Sequence, residues 1–294
     1  MRYVSESNYN VPWWLYEHRA DVYSQSGEDG IISQILARIP QRDNWCVEFG
    51  ASDGITNSNV LNLIRNHRYS AVLIEPDKAA YNCLLHNFAD KRDRVEIVNG
   101  DVGWDETNKL DTHLSNTEIP ENFDLCVIDV DGTDYYVWEA VERYTPKVVC
   151  IEFNPTIATE LIYIQEKDAQ ERTGSSLLAL VVLANKKGYK LVSVTDFNAF
   201  FVKECYYSLY EIPNNSPLLL RRSAMVTYLF SGYDGKMHTA GCNILPWHFL
   251  KVRNKNVQVV PWFLRKFPGD MGLLRRGLLH LYCKYKQLGE KAHV

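Results

Sequence analysis

Between about residue 44 and residue 204, short apolar runs rich in β-branched residues alternate with segments of helical periodicity. This alternation is typical of a parallel sheet that is covered by helices on both faces. Only the tight connection Asp196-Phe197-Asn198 separates the last two runs, which are therefore predicted to form an antiparallel hairpin. The seven predicted strands are WCVEF (45–49), SAVLIE (70–75), VEIVN (95–99), FDLCVID (123–129), KVVCIEF (147–153), KLVSVT (190–195) and AFFVK (199–203).

The predicted fold class is α/β: a doubly wound, seven-stranded, mostly parallel sheet whose last strand is antiparallel. Five parallel strands followed by such a hairpin are typical of class I methyltransferases rather than of nicotinamide dehydrogenases, although a fold does not fix a function. Helical patterns follow the strands, and Asp77 is a predicted N-cap. The predicted helices are 59–66, 77–88, 134–143 and 175–187, while 102–122 is weak as a helix.

The chain is predicted to comprise a domain at 1–204, with residues 1–43 as an N-terminal lid, and an appendage at 205–294. Within the lid, VYSQSGEDGIISQILARI (22–39) predicts a loop followed by a helix that is capped by Ser24 or Ser26. After residue 205 the alternation is lost and five prolines interrupt the pattern. No architecture is predicted for the appendage.

The chain has 294 residues, a formal net charge of −4 and seven cysteines without any C-x-x-C pair. A slightly acidic chain is unlike a general nucleic-acid-binding protein, and the cysteine spacing argues against structural zinc and disulfides. The N-terminus does not resemble a signal peptide, and no apolar stretch approaches the length of a spanning helix. These features predict a cytoplasmic protein.

Acidic residues close the first three predicted strands. Glu48 precedes a turn with Gly50 and Gly54, Glu75 ends the second strand, and Asp101 follows the third. At this edge of a doubly wound sheet, glycines permit close approach of a ligand, and a carboxylate accepts hydrogen bonds from ribose hydroxyls. Ser52 occupies the place of the second glycine of G-x-G-x-x-G, which argues against dinucleotide binding.

The fourth and fifth predicted strands add a second acidic group. CVIDVDGTDYY carries Asp129, Asp131 and Asp134, and CIEFNP carries Glu152 and Asn154. Carboxylates that converge in one cleft repel each other unless a proton, a cation or a polar ligand compensates their charge. The clustering therefore predicts a functional site. The structural alternative is that Asp131 and Asp134 only cap the following helix.

The segments VYSQSGEDG, VEFGASDG, LIEPD, VIDVDGTD and CIEFNP resemble the FkbM-type family of S-adenosylmethionine-dependent methyltransferases over residues 22–204. Two departures concern the fourth strand: Asp131 and Asp134 replace longer glutamates, and Val127 replaces a lysine that often precedes the motif. The resemblance implies O-methylation of a hydroxyl on a sugar or a surface-glycan precursor. Methylation of a natural product is the nearest alternative.

The motifs and the resemblance together give three sets of candidate residues. The catalytic candidates are Asp129, Asp131 and Glu152. The candidates for binding S-adenosylmethionine are Glu48, Gly50, Ala51, Ser52, Gly54, Glu75, Pro76, Asp101, Val102 and Asp129. The candidates for binding the acceptor are Gln25, Glu28, Asp134, Tyr135 and Asn154.

Two routes to deprotonation of an acceptor hydroxyl stay open. A carboxylate among the catalytic candidates can act as general base, with His113 as a further possibility. Alternatively, a divalent cation such as magnesium lowers the pKa of the hydroxyl. The candidate ligands of that cation are Asp129, Asp131, Glu152 and Asn154.

Two other classes of protein remain possible from the sequence: a nicotinamide-dependent oxidoreductase, and a nucleoside-binding or scaffold protein without turnover.

The basic C-terminal helix GLLRRGLLHLYCKYKQL places Leu274, Leu278, Leu281, Tyr285 and Leu288 on one face. Such a helix predicts packing on the domain or in a homo-oligomer, or peripheral association with the inner face of a membrane. No nucleic-acid partner is predicted.

Overall fold

The computed structural model describes residues 13–290, with side chains as far as residue 286. The predicted lid begins outside the described residues, since 1–12 are not among them. The chain divides into two compact units, Met1–Ala224 and Met225–Val294. The first unit thus extends beyond the boundary that was predicted at residue 204.

The first unit is built on one seven-stranded sheet in the order β3-β2-β1-β4-β5-β7-β6. Strands β1 to β5 are mutually parallel, and β7 runs antiparallel to β5 and β6. This arrangement confirms the predicted fold class. The strands are β1 Trp45–Phe49, β2 Ser70–Glu75, β3 Val95–Asn99, β4 Leu125–Ile128, β5 Val148–Glu152, β6 Tyr189–Val194 and β7 Asn198–Lys203.

Helices connect and cover the strands. Asp77 caps α4 by accepting hydrogen bonds from the amides of Ala79 and Ala80, which confirms that predicted cap. The position before α2 is Gly27 in the left-handed conformation rather than Ser24 or Ser26, but the Ser24 hydroxyl accepts a 3.1 Å hydrogen bond from the Asp29 amide in the first turn, as a capping side chain does. The helices of this unit are α1 Trp14–Glu17, α2 Glu28–Arg38, α3 Leu61–Asn66, α4 Lys78–Asn87, α5 Leu110–Leu114, α6 Asp134–Ala140, α7 Leu177–Lys186, α8 Glu204–Tyr207 and α9 Pro217–Leu220.

The core explains why the central strands consist almost entirely of apolar residues. Val47 on β1 and Val127 on β4 are fully buried, because helices cover both faces of the sheet. Burial of each such side chain contributes about 1.5–3 kcal/mol to folding. Parallel strands end at one common edge, so the polar residues that follow β1, β2, β4 and β5 gather there.

The second unit contains two small antiparallel pairs and one long helix. It comprises β8 Thr227–Ser231, β9 Met237–Gly241, β10 Ile244–Leu245, β11 Leu250–Lys251 and α10 Leu273–Glu290, with three short 3₁₀ segments between β11 and α10. Across residues 13–290, no helix combines the length and the apolar character needed to cross a bilayer.

Candidate functional site

The turn after β1 requires glycine because protein atoms approach it closely. Gly50 has φ +70°, and a Cβ there would lie 2.1 Å from the carbonyl oxygen of Asp129. Gly54 has φ +72°, and a Cβ there would lie 2.4 Å from Leu84 and 2.5 Å from Phe88. Both glycines were predicted to admit a ligand; in the structure, Gly50 brings the ends of β1 and β4 together and Gly54 packs against α4.

Glu48 is buried at the end of β1 and is held by the segment that follows the turn. Its carboxylate accepts a 2.6 Å hydrogen bond from the Ser58 hydroxyl and a 2.8 Å bond from the Asn59 amide. Burial raises the pKa of Glu48 to about 7, although both hydrogen bonds oppose the shift. Glu48 therefore lies at the predicted edge, with its orientation fixed by the chain itself.

Glu75 is buried at the end of β2 and organises the neighbouring backbone. One oxygen accepts from the Ser52 amide at 2.7 Å, and the other accepts from the Asp77 amide at 2.8 Å. A carboxylate has about four acceptor positions, so two stay available for other donors. The Ala51 amide bonds to the Ile74 carbonyl, which ties this turn to β2.

The other predicted cofactor contacts lie along the same edge. Pro76 and Asp101 are exposed, whereas Val102 is buried just after β3. The Asn99 side chain donates to the carbonyls of Glu75 and Pro76, so β2 and β3 end in register. The structure thus places Glu48, Glu75 and Asp101 at the carboxyl ends of three adjacent strands, β1, β2 and β3.

A cluster of three carboxyl groups lies beside this row, where β4 and β5 end. Asp129 follows β4, Glu152 ends β5 and Asp134 begins α6. Each offers one oxygen, and these oxygens all lie within 4.8 Å of one another. We refer to Asp129, Asp134 and Glu152 as the carboxyl cluster.

Burial and mutual repulsion raise the pKa values of the carboxyl cluster. Desolvation is the main cause that raises the pKa of Asp129 and of Glu152, and the negative charge of neighbouring carboxylates adds to both shifts. Burial raises the pKa of Asp134 to about 6. These shifts favour the protonated forms of the cluster near neutral pH in the absence of a cation.

The turn after β4 decides which aspartates enter the cluster. Asp131 has φ +56° and Gly132 has φ +136°, which reverses the chain before α6. The buried carboxylate of Asp134 accepts from the amides of Val130 and Gly132, both at 2.9 Å. The prediction of Asp134 as an acceptor contact stays a prediction, and its observed contacts are with this turn.

Two of the predicted catalytic or metal-binding residues lie outside the carboxyl cluster. Asp131 is exposed and forms a 3.1 Å ion pair with Arg172. The Asn154 oxygen accepts from the amide and the hydroxyl of Thr156. The predicted metal ligands Asp131 and Asn154 are thus engaged elsewhere, and Asp134 takes their place beside Asp129 and Glu152.

The start of α2 also contributes buried acidic groups at this edge. Glu28 is fully buried and accepts hydrogen bonds from Thr195 and Asn198, which lie where β6 ends and β7 begins. Asp29 accepts from three amides of the preceding loop through one oxygen, and its charge contributes to the raised pKa of Glu48. Gln25, another predicted acceptor contact, is exposed.

Several buried polar atoms around this edge have no hydrogen-bond partner within the described chain. They are Asp29 Oδ1, Asn59 Oδ1, Ser175 Oγ and Asn198 Oδ1. Asn198 lies directly opposite Glu152 in the antiparallel pair, so their side chains share one face of the sheet. Buried polar atoms are normally satisfied, and a polar ligand at this edge would satisfy them. The polar run after β1 includes Asn59, whereas no pattern in the sequence indicated Ser175 or Asn198 as site residues.

The long connection from β5 to α7 contributes further to this region, and no sequence pattern predicts it. Gln165 is buried there, and its side-chain oxygen accepts from the amides of Thr173 and Gly174. Its carbonyl accepts from the hydroxyl of Tyr136 on α6 at 2.8 Å. Lys167 lies 4.8 Å from the ring centre of Tyr136. This connection is thereby anchored next to the helix that starts at Asp134.

His113 lies away from the carboxyl cluster. Its Nε2 lies 2.9 Å from the carbonyl oxygen of Asp101. The ring faces a cavity of about 330 Å³ along the edge strand β3, whose lining includes Arg92, Glu96 and Asn116 and no member of the carboxyl cluster. The structure therefore gives no support to His113 as general base.

The buried carboxyls predict an unusual dependence of stability on pH. Glu48 and Asp134 have pKa values of about 7 and about 6 in the fold, against ordinary values of 4.5 and 3.8. The folded protein thus holds protons that the unfolded chain releases, and stability is lost as pH rises from about 4 to about 7. We expect a higher melting temperature at pH 5.5 than at pH 8.

The variant Glu152→Gln tests this expectation at one residue of the carboxyl cluster. A neutral amide mimics the protonated acid, so the melting temperature should rise by several degrees at pH 8 and change little at pH 5.5. The exposed Glu118→Gln variant is the control and should not move it at either pH. A decrease for Glu152→Gln at pH 8, or equal changes at both pH values, would contradict the expectation.

Comparisons with known proteins give fold-level similarity only. A SAM-dependent methyltransferase from Aquifex aeolicus aligns with 11% identity over 65% of this chain and 96% of its own, with a TM-score of 0.39. The CurJ carbon methyltransferase aligns with 11% identity over 62% of this chain and 56% of its own, with a TM-score of 0.43. A putative caffeoyl-CoA O-methyltransferase from Staphylococcus aureus aligns with 13% identity over 60% of this chain and 82% of its own, with a TM-score of 0.40. At such values these structures carry no argument about function.

No protein-family model matches the chain, and no curated protein matches it. The resemblance to the FkbM-type family therefore stays a prediction. The strand order and the antiparallel β7 are nevertheless those of the class I methyltransferase fold. In such sheets, ligands bind at the carboxyl ends of the strands, which is where the buried acidic residues of this chain lie.

Proposed function

We propose that this protein is an S-adenosylmethionine-dependent O-methyltransferase that acts on a hydroxyl of a sugar or a surface-glycan precursor. One observation supports the proposal most strongly. Two sets of acidic groups lie side by side at the carboxyl edge: Glu48 and Glu75 at the ends of β1 and β2, and the carboxyl cluster at the ends of β4 and β5. The first set suits a nucleoside with an amino acid tail, and the second suits a hydroxyl that must lose a proton.

The residues after β1, β2 and β3 fit S-adenosylmethionine by their chemistry. Glu75 retains acceptor positions suited to the ribose hydroxyls, and Asp101 is suited to the adenine amino group. The unpartnered oxygens of Asp29 and Asn59 offer acceptors for an ammonium group near Glu48. When bound, S-adenosylmethionine supplies a methyl group on a sulfonium, which is open to nucleophilic attack.

Asp129 and Glu152 are suited to accept the proton of the acceptor hydroxyl. Efficient general bases have a pKa near the working pH, and the pKa values of both carboxyls are raised above their ordinary range. Because the negative charge of Asp129 raises the pKa of Glu152, protonation of Glu152 favours the unprotonated, accepting form of Asp129. Asp134 keeps the turn that positions Asp129 through its bonds to Val130 and Gly132.

A divalent cation is the alternative use of the same oxygens. Asp129, Asp134 and Glu152 offer three carboxylate ligands, the oxygen chemistry that magnesium prefers. A bound cation would lower the pKa values of all three carboxyls and neutralise their repulsion. In either case the cluster serves the acceptor hydroxyl.

Aromatic rings near the carboxyl cluster support a sugar acceptor. Tyr136 lies two residues after Asp134, and its ring centre lies 5.7 Å from that of Trp104. Both rings are half-buried, and the part that stays open to solvent is suited to the C–H face of a sugar, whose hydroxyls donate to neighbouring carboxylates. The long β5–α7 connection holds Lys167 over Tyr136, which places a cation beside these rings.

Calorimetry with S-adenosylhomocysteine tests the cofactor part of the proposal. We expect binding by the wild-type protein, and about tenfold or greater weakening in Glu75→Gln, because one charged acceptor for the ribose is lost. The amide retains one oxygen for the Ser52 or Asp77 amide, and the melting temperature of the variant reports whether the turn survives. Glu118→Gln, exposed and away from the edge, should bind normally.

Two results would overturn this part of the proposal. One is the absence of heat at millimolar S-adenosylhomocysteine with a folded protein. The other is a change in fluorescence on mixing with reduced nicotinamide cofactor, which would favour an oxidoreductase instead. Undiminished binding by a folded Glu75→Gln variant would remove Glu75 from the site.

A further inference from the structure

The two units carry opposite net charge. Residues 225–294 contain eleven lysines and arginines and three acidic residues, a formal charge of +8. Residues 1–224 contain 21 basic and 33 acidic residues, a formal charge of −12. Charge asymmetry of this kind points to an anionic partner for the basic unit. The net charge of the whole chain, −4, conceals it.

The basic unit also exposes large apolar side chains. Phe249 is 88% exposed and Trp262 is 80% exposed. Among its described residues, only Val226, Leu264 and Met271 are buried apolar side chains. Both of its sheets are two-stranded, and such pairs are marginal without a covering layer. Apolar exposure on this scale marks a surface that is covered by a partner.

Helix α10 combines both features. Leu274, Leu278, Leu281 and Tyr285 recur at helical spacing, and all four are exposed. Arg275, Lys284 and Lys286 are exposed on the same helix. The helix is held to its own unit by the Tyr282 hydroxyl, which donates to the Val259 carbonyl. The predicted face member Leu288 lies beyond the described side chains.

We infer that residues 225–294 form a module that docks on an anionic lipid bilayer. The apolar face of α10 and the exposed aromatic rings of the module enter the interface, and the basic side chains contact anionic headgroups. A helix with an apolar face, basic residues and low overall hydrophobicity is suited to lie in the plane of a membrane. Trp and Tyr favour the same interfacial depth. The inference does not rest on the function proposed above.

A bilayer accounts for both properties of the module, whereas two other occupants account for one each. A nucleic acid would pair with the positive charge but leave leucines and phenylalanines in contact with phosphates and water. The acidic unit of a second copy would also match the charge. However, the acidic unit offers little apolar surface to cover the apolar side chains of the module, since most exposed large apolar side chains of the described chain belong to the basic module.

Co-sedimentation of the full chain with vesicles tests the inference. We expect binding to vesicles of phosphatidylcholine with phosphatidylglycerol, and at least about tenfold weaker binding to phosphatidylcholine alone. The triple variant Leu274→Gln/Leu278→Gln/Leu281→Gln should bind the anionic vesicles at least about tenfold more weakly. The triple variant Arg275→Gln/Lys284→Gln/Lys286→Gln should show a similar loss of binding, because each basic residue near the membrane surface adds to the attraction by anionic headgroups. Glutamine preserves helix propensity.

Two exposed residues of the first unit give matched controls. Leu218→Gln removes an exposed leucine and Lys186→Gln removes an exposed charge, and neither should change vesicle binding. Circular dichroism checks that every variant is folded. The inference is overturned if the wild-type chain does not sediment with anionic vesicles, or if the leucine variant binds as well as wild type. It is also overturned if the chain instead binds duplex DNA, or self-associates at low salt, without binding vesicles.

Discussion

Replacement of Asp129 by asparagine should reduce methyl transfer by at least about 100-fold, whereas the same change at Asp131, two residues later, should cost less than about threefold. Asp129 belongs to the carboxyl cluster, and burial, together with the negative charge of Asp134, raises its pKa toward the working pH, as expected of a general base. Asp131 is exposed and paired with Arg172. The two variants remove the same charge at nearly the same place in the sequence, so a difference between them reports the location of the side chain in the structure.

Transfer from radiolabelled S-adenosylmethionine to a panel of free and nucleotide-linked sugars measures the effect. Affinity for S-adenosylhomocysteine, measured in parallel, should fall far less than the rate in both variants, since asparagine is isosteric with aspartate and Glu48 and Glu75 are unchanged; a loss of affinity in Asp129→Asn equal to the loss of rate would assign Asp129 to cofactor binding alone. The wild-type rate should fall as pH drops below neutral, because the base must be unprotonated; an ordinary carboxyl would lose activity only near pH 4. Equal losses for Asp129→Asn and Asp131→Asn would sink the assignment of the base.

A chelator in the same assay separates the two uses of the cluster. If the cluster acts through a shared proton, the rate is unchanged by removal of divalent cations. If it acts through a cation, the rate falls with chelation and returns on addition of magnesium, and Glu152→Gln and Asp134→Asn each weaken that recovery. Full activity of Asp129→Asn in the presence of saturating magnesium would contradict both versions.

Gly50→Ala should destabilise the first unit by more than about 4 kcal/mol and lower its melting temperature by at least about 10 °C. The new methyl group would lie 2.1 Å from the Asp129 carbonyl oxygen, so the ends of β1 and β4 must separate. Left-handed backbone at φ +70° adds about 1–2 kcal/mol of strain for alanine. Asp129 lies at this contact, so activity should be lost together with stability.

Gly188→Ala isolates the contribution of backbone strain. Gly188 has a similar φ, +78°, and a Cβ there meets nothing within 4 Å. We therefore expect a cost of only about 1–2 kcal/mol, or roughly 3–6 °C, with activity retained. Differential scanning calorimetry of both variants gives the comparison. Similar melting temperatures for Gly50→Ala and Gly188→Ala would show that the close approach of Gly50 to Asp129 is not maintained in solution.

Strand positions were largely predictable because buried parallel strands leave a direct trace in the sequence. The bounds of β1, β2 and β3 match the predicted segments to the residue. The predicted fourth and fifth strands were longer than β4 and β5, since Phe123, Lys147 and Phe153 are buried without belonging to the strands. The sequence pattern indicates burial, and residues stay buried beyond the ends of β4 and β5, where the backbone is no longer paired with a neighbouring strand.

The membership of the carboxyl cluster was less predictable. Asp129, Asp131 and Asp134 stand within six residues, and their residue type gives no order among them. The left-handed backbone at Asp131 decides the outcome, because it turns Asp134 toward the amides of Val130 and Gly132 and leaves Asp131 exposed beside Arg172. The partner Arg172 lies 41 residues away in the chain, beyond any local pattern.

By itself, the sequence determined the parallel sheet, its terminal hairpin, the acidic residues at the strand ends and the basic character of the C-terminal segment, because periodicity, residue type and charge are properties of neighbours along the chain. Only the tertiary structure decided which acids share the cleft, that Gly50 approaches Asp129, and that the leucines of α10 are exposed. Those facts depend on contacts between distant segments. Such contacts are fixed by packing and by backbone turns, which local patterns do not encode.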